Sequence, residues 1–136
     1  MKQAEAKSMI PAPPINMESK SFWDSANEGR LVLGYCQGCE QWHYYPRSIC
    51  PLCHSSGATL RNSAGHGQIY SCSATLRGAA EPYVVAYVEL DEGPRIFSNI
   101  VGSPPLEVRI GQRVEVCFLE AEGGQMVPMF KLAAST

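Results

Sequence analysis

Residues 36–53 read CQGCEQWHYYPRSICPLC. Two pairs stand out, Cys36/Cys39 and Cys50/Cys53, in the spacing C-x2-C-x10-C-x2-C. Two residues between paired cysteines let both thiolates of a knuckle reach one ion from a tight turn. Two such knuckles complete the tetrahedral shell that Zn²⁺ favours. The stretch predicts a zinc ribbon. Iron in a rubredoxin-like site uses the same four ligands, and zinc is preferred because the sequence shows no redox partner. Four thiolates leave no open coordination position, so this centre is expected to hold structure rather than to catalyse. The competing reading is two disulfides, which four cysteines can form in three ways. It needs an oxidising compartment.

Upstream, residues 31–35 (Leu-Val-Leu-Gly-Tyr) read as a short strand running into Cys36. Residues 16–29 read as a helix, with Asn16 able to cap its start and Gly29 able to end it in a left-handed turn. Phe22, Trp23 and Ala26 share one face at spacings of three and four. So short a helix is marginal alone, so its Phe-Trp face must bury against its own chain or a partner. Residues 1–15, rich in Lys, Ala and Pro, are expected to form a loose arm. The first domain is drawn at residues 16–63.

Downstream the cysteine pairs stop and alternation begins, marking a second domain at residues 64–136. Five strands are expected. Gln68–Arg77 places Tyr70, Cys72, Ala74 and Leu76 on one face. Tyr83–Leu90 places Val84, Ala86, Val88 and Leu90 on one face and Tyr83, Val85 and Tyr87 on the other. Arg95–Val101, Arg113–Leu119 and Met126–Leu132 complete the set, separated by Glu92-Gly93, Pro104-Pro105 and Gly123-Gly124. A meander of three, a crossing and a hairpin of two fit the five-stranded OB fold. An SH3-like barrel is the alternative. The crossing, Gly102 to Gln112, looks too short and Pro-rich for the helix that many OB folds carry there. The expected fold class is therefore mainly β: an N-terminal helix, a rubredoxin-like zinc ribbon and an OB-fold barrel.

The chain has 136 residues, with 11 Lys and Arg against 13 Asp and Glu. The longest apolar run, Tyr83 to Val88, is far short of the roughly 18 residues of a membrane span. With no secretory signal recognised, a cytoplasmic protein is expected, which also disfavours the disulfides. Residues 67–136 carry five basic against eight acidic residues. That opposes nucleic-acid binding, whose affinity comes from Lys and Arg on phosphates. Cys72 reads as a core thiol and Cys117 as partly exposed. His43, His54, His66, Asp24, Asp91 and Glu92 read as surface or turn residues. No base, acid and nucleophile can be assembled from them.

The series Phe22-Trp23, Gly29-Arg30-Leu31, Cys36-x2-Cys39, Tyr45-Pro46-Arg47-x2-Cys50-Pro51-x-Cys53 continues through Gly65-x-Gly67 and Val84-Val85-Ala86-Tyr87-Val88-Glu89-Leu90-Asp91-Glu92-Gly93 to Ile110-Gly111 and Val114-Glu115-Val116. In this order it resembles the DUF35 family of zinc-ribbon/OB-fold proteins, over about residues 18–131. The resemblance implies a non-catalytic accessory subunit of a thiolase-fold acyltransferase, thiolase or aldolase, or of a hotdog-fold enoyl-CoA hydratase. In such complexes the OB domain helps to position the acyl-CoA while the partner performs the chemistry. Two knuckle positions depart from the family pattern: Glu40 and His54 stand where Gly is usual, at turns that call for positive φ. The loop Gly78 to Glu81 is shorter than in many members.

CoA carries phosphates, so cations are expected along its path. The candidates are Arg47, Arg77 and Lys131. The candidates for a partner interface are Phe22, Trp23, Trp42, Tyr44, Tyr45, Tyr83 and Tyr87, since aromatic residues dominate interface hot spots. Two other functions compete: a single-stranded nucleic-acid-binding module, which both zinc ribbons and OB barrels suggest, and a stand-alone hydrolase or thioesterase. The first lacks a basic face and the second lacks a nucleophile.

Overall fold

The computed structural model describes residues 10–45, 47–77 and 81–133. Most of the expected arm (residues 1–9) and most of the loop Gly78 to Glu81 (residues 78–80) lie outside the described residues. Two compact units emerge. One runs up to Ser63 and includes Phe118–Pro128; the other comprises Ala64–Cys117 and the residues from Met129 on.

In the first unit, helix α1 (Lys20–Asn27) is shorter than the sequence suggests. Asn16 caps a preceding turn instead: its Oδ1 accepts from Ser19 N at 3.0 Å, and its own N donates to Ser19 Oγ at 3.2 Å. The C-terminal expectation holds. Gly29 sits at φ 76°, its N–H donates to Ala26 O, and Arg30 N–H donates to Ser25 O. This is the Schellman arrangement, which needs a left-handed residue that glycine supplies without a Cβ clash.

Phe22, Trp23 and Ala26 are buried. Phe22 packs against Trp23, Tyr44 and Tyr45 with ring centroids 4.9–5.8 Å apart. Trp23 Nε1 donates to Tyr45 Oη at 2.9 Å. The face that was open to either its own chain or a partner is therefore closed by its own chain. The far end of the helix holds the hairpin segment of the same unit. Gln125 Nε2 donates to Trp23 O at 2.9 Å, and Met126 N donates to Asn27 Oδ1 at 2.9 Å.

Three short strands carry the ribbon: β1 (Val32–Cys36), β2 (Gln41–His43) and β3 (Ala58–Asn62), in the antiparallel order β2-β1-β3. Only β1 is foreshadowed by the sequence reading. β2 has three residues and β3 is mostly exposed, so neither shows a hydrophobic period. The register opposes Gly34 to His43. A Cβ on Gly34 would lie 2.0 Å from His43 Cε1, so the imidazole occupies the space that a side chain would take. His43 is buried, not the surface residue its polarity suggests.

Strands β4 (His66–Thr75), β5 (Tyr83–Leu90), β6 (Arg95–Val101), β7 (Arg113–Glu120) and β8 (Met126–Leu132) close a barrel in the order β4-β5-β6-β8-β7. β6 and β8 pair in parallel through Ile100↔Phe130, and β4 pairs antiparallel with β7. That is the five-stranded Greek-key closure of the OB fold. The crossing carries a single 3-10 turn, Pro105–Glu107, and no α-helix. Inside lie Ile69, Val84, Ala86, Val88, Leu90, Ile96, Ile100, Val114 and Phe130. The alternation expected for β5 is as observed.

The face expected for β4 holds only past a bulge: Cys72 and Ala74 oppose the inward Ala86 and Val84, and Tyr70 does not share their side. The register shifts between Ile69 and Ser71, so Ile69 opposes Val88 while Ser71 opposes Tyr87. One extra residue in a period-two strand reverses its parity. Ile69 is buried, while Tyr70 is exposed under the Arg95 guanidinium, 3.9 Å from the ring centroid. Among the described residues no helix is long and apolar enough to cross a membrane.

Phe130 is fully buried. Phe130→Ala is expected to cost about 3–5 kcal/mol through lost burial and the cavity left behind. A lowered urea midpoint with an unchanged m-value checks this.

Candidate metal centre

Cys36 ends β1, opposed to Gln41 on one side and Ala58 on the other. The sheet thus fixes the first knuckle at its root. Glu40 N donates to Cys36 O at 2.7 Å, and His54 N donates to Cys50 O at 2.9 Å. The two knuckles are copies of one turn. Each ends in a left-handed residue, Glu40 at φ 60° and His54 at φ 65°. These are the two positions where the sequence departs from glycine and positive φ was expected.

The four sulfur atoms lie within 4.8 Å of one another. Across the knuckles, Cys36 Sγ is 3.7 Å from Cys53 Sγ and Cys39 Sγ is 3.8 Å from Cys50 Sγ. A tetrahedron built on Zn–S bonds of about 2.3 Å has edges of about 3.8 Å. The residues fit a zinc ion, and all four thiols are free rather than disulfide-bonded. Backbone N–H groups support the sulfurs: Leu52 N and Cys53 N reach Cys50 Sγ at 3.3 and 3.4 Å. The Ser55 hydroxyl and the backbone of Cys39 and Gly38 hold the Cys36 thiol down to about 6, whereas desolvation pushes Cys39 up to about 12. The Ser55 side chain and backbone also lower the Cys53 thiol, so without the cation the cluster has two thiols that ionise more readily and one that resists. Binding a divalent ion must displace protons, so affinity falls as pH falls.

Ser55 was not singled out by the sequence reading. A serine two residues past the last ligand carries no distinguishing signal.

The other candidates are dispersed. Arg47 faces Glu18 across 4.0 Å, and Lys131 faces Glu115 across 3.8 Å. Arg77 is exposed just beyond the end of β4. Phe22 and Trp23 are internal, and burial pushes the Tyr44 hydroxyl up, away from ionisation. Trp42 is half-buried, in edge contact with Tyr35 at 5.3 Å. Tyr83 and Tyr87 are exposed on the barrel, and Tyr87 rests against exposed Phe97 at 5.0 Å. Cys72 and Cys117 are half-buried free thiols, and burial raises the Cys117 pKa. Among the described residues, the cysteine quartet is the one group of three or more potential metal ligands.

Residues 23–58 match the rubredoxin-like zinc ribbon domain of ChsH2, and residues 61–119 match the ChsH2 C-terminal OB-fold domain. A "Probable enoyl-CoA hydratase alpha subunit" of Thermomonospora curvata is 34% identical over 96% of this chain, but the chain spans only 42% of that relative's length. A "DUF35 domain-containing scaffold protein" of Methanothermobacter thermautotrophicus is 36% identical, over 78% of this chain and 87% of the relative. "Benzoylsuccinyl-CoA thiolase subunit BbsA" of Thauera aromatica is 30% identical over 68% of each chain. Among solved structures, a chain of the "Ltp2-ChsH2(DUF35) aldolase" superposes with a TM-score of 0.82 at 35% identity, over 90% of this chain and all of that one.

Elemental analysis is expected to find one zinc per chain, and Cys36→Ser to lose it together with the ribbon's fold, since structural zinc contributes about 10–16 kcal/mol. Glu40→Gly and His54→Gly are each expected to raise stability by about 0.5–1 kcal/mol. Relief of left-handed strain outweighs the added chain entropy at these positions. Thermal unfolding of the zinc-loaded variants measures this.

Proposed function

Because this chain belongs to the DUF35 family, pairing a zinc ribbon with an OB-fold barrel, we propose that it is a non-catalytic accessory subunit of an acyl-CoA-processing enzyme. The observation that carries this reading is the match over the full length of a chain of the "Ltp2-ChsH2(DUF35) aldolase". The thiolase subunit among its relatives supports the same class of partner. We take the partner to be a thiolase-fold enzyme. The hydratase reading is the weaker one, because the relative that bears that name is matched over less than half of its length.

The site chemistry supports a supporting role. The cysteine quartet is a closed donor set with no place for substrate. In this reading residues 16–63 and 64–136 act as a ribbon domain and a barrel domain, and the partner supplies the catalytic groups. Phe22, Trp23, Tyr44 and Tyr45 are occupied within the chain. The interface is therefore assigned to Tyr83 and Tyr87 on the outer face of the barrel, with Trp42 on the ribbon. Arg77, Arg47 and Lys131 are the cations proposed to meet CoA phosphates. The last two would have to exchange exposed carboxylate partners, contacts worth at most about 1 kcal/mol each. The acidic balance of the barrel stands against nucleic acid as a ligand.

Native mass spectrometry of the complex isolated from its source is expected to show this chain with one zinc and a thiolase-fold partner. The isolated chain is expected to turn over no member of an acyl-CoA panel. Turnover by the isolated chain, or a native complex without such a partner, would overturn the reading.

A further inference from the structure

We propose that Ser55 is the positioning residue of the metal centre, using one hydroxyl to bridge a ligand from each knuckle. Ser55 Oγ lies 3.4 Å from Cys36 Sγ and 3.3 Å from Cys53 Sγ. These two sulfurs belong to different knuckles and are 3.7 Å apart. The hydroxyl accepts from Gly57 N at 3.2 Å. That bond occupies a lone pair and turns the single O–H proton toward the sulfurs.

The surrounding backbone fixes the hydroxyl there. Cys50 N donates to Ser55 O, and Gln37 N donates to Gly57 O. Residues 55–57 thus strap both knuckles by main-chain bonds as well as by the side chain. The room is cut to size. A Cβ on Gly38 would meet Ser55 Oγ at 3.2 Å, and one on Gly57 would meet Gly38 N at 3.2 Å.

The chemistry calls for such a donor. Four thiolates around one Zn²⁺ leave a net charge of −2, and hydrogen bonds to sulfur spread it. Cys50 receives two such bonds from its own knuckle. Without the ion, Cys53 Sγ donates to the Ser55 hydroxyl; once Cys53 is a thiolate it has no proton to give, and that contact can run only from the hydroxyl to the sulfur. Groups that orient metal ligands in this way typically carry about 10–100-fold in metal affinity.

The test uses the full chain, stripped of metal and reloaded with Zn²⁺ or Co²⁺. Zinc affinity is measured by competition with a chromophoric chelator, and the sulfur-to-cobalt charge-transfer band is recorded. Ser55→Ala is expected to weaken zinc about 10–100-fold. It is also expected to move the band to lower energy, because a sulfur lone pair that loses its hydrogen bond gives up an electron more readily. Ser55→Thr keeps the hydroxyl and is expected to restore both. Wild-type affinity and band position in Ser55→Ala would overturn the proposal. So would weakened affinity with an unmoved band and no rescue by Thr, which would mark a packing role only. If Ser55→Ala does not fold in excess zinc, Gly38→Ala decides. It retains every ligand, presses on the hydroxyl at 3.2 Å and touches Cys36 Sγ only at van der Waals distance, 3.5 Å, so the same band shift supports the proposal and an unmoved band refutes it.

Discussion

Four sulfur atoms have to converge to contact distance at one point, and the ribbon is organised around that requirement. Thiolates repel one another, so only a cation makes their approach favourable. Cys36 and Cys50 are fully buried in a region with little apolar material of its own. β2 contributes three residues, and β3 is almost wholly exposed. Burial on this scale cannot order the chain alone, since small cores supply only about 3–5 kcal/mol. The centre explains why the knuckles keep two non-glycine residues in left-handed conformation. A loss of about 1–2 kcal/mol at each is small beside the binding energy of the ion.

The helix solves a related problem by different means. Eight residues are too few to be helical in isolation, yet α1 is closed at its C-terminus by the Schellman bonds and held along its side by rings. The Trp23–Tyr45 hydrogen bond joins it to the ribbon loop, and Asn27 and Gln125 join it to the hairpin segment of the same compact unit. This packing bears on function. Aromatic residues that look in the sequence like interface anchors, Phe22, Trp23, Tyr44 and Tyr45, are consumed in packing the chain's own first unit, and Tyr83 and Tyr87 stay exposed on the outer face of the barrel.

Legibility followed periodicity. β5, β6 and β8 have the bounds that alternation and turn residues suggest; β5 and β6 show a buried face of period two, whereas β8 buries Val127 and Phe130, three apart, and follows its Gly123-Gly124 turn. β4 changes parity at a bulge near Tyr70 that no turn residue announces, so Ile69 before it and Cys72 after it share the inward side while Tyr70 does not. β2 and β3 bury too little to leave a pattern. His43 is a third case. Its burial depends on Gly34 across the strand pair, and such a pairing is not visible from either residue alone.

The metal ligands, the barrel strands β5, β6 and β8 and the family are legible in the chain alone, because ligand spacing, glycine placement and strand alternation are local properties; the OB closure over an SH3-like one needed the β4–β7 and β6–β8 pairings. What lies around them comes from the fold: the Ser55 hydroxyl between two sulfurs, the imidazole in place of a side chain at Gly34, and the aromatic cluster turned inward. These depend on the register between segments far apart in sequence. A serine, a glycine or a tyrosine has no fixed meaning until the opposite strand or knuckle arrives to give it a partner.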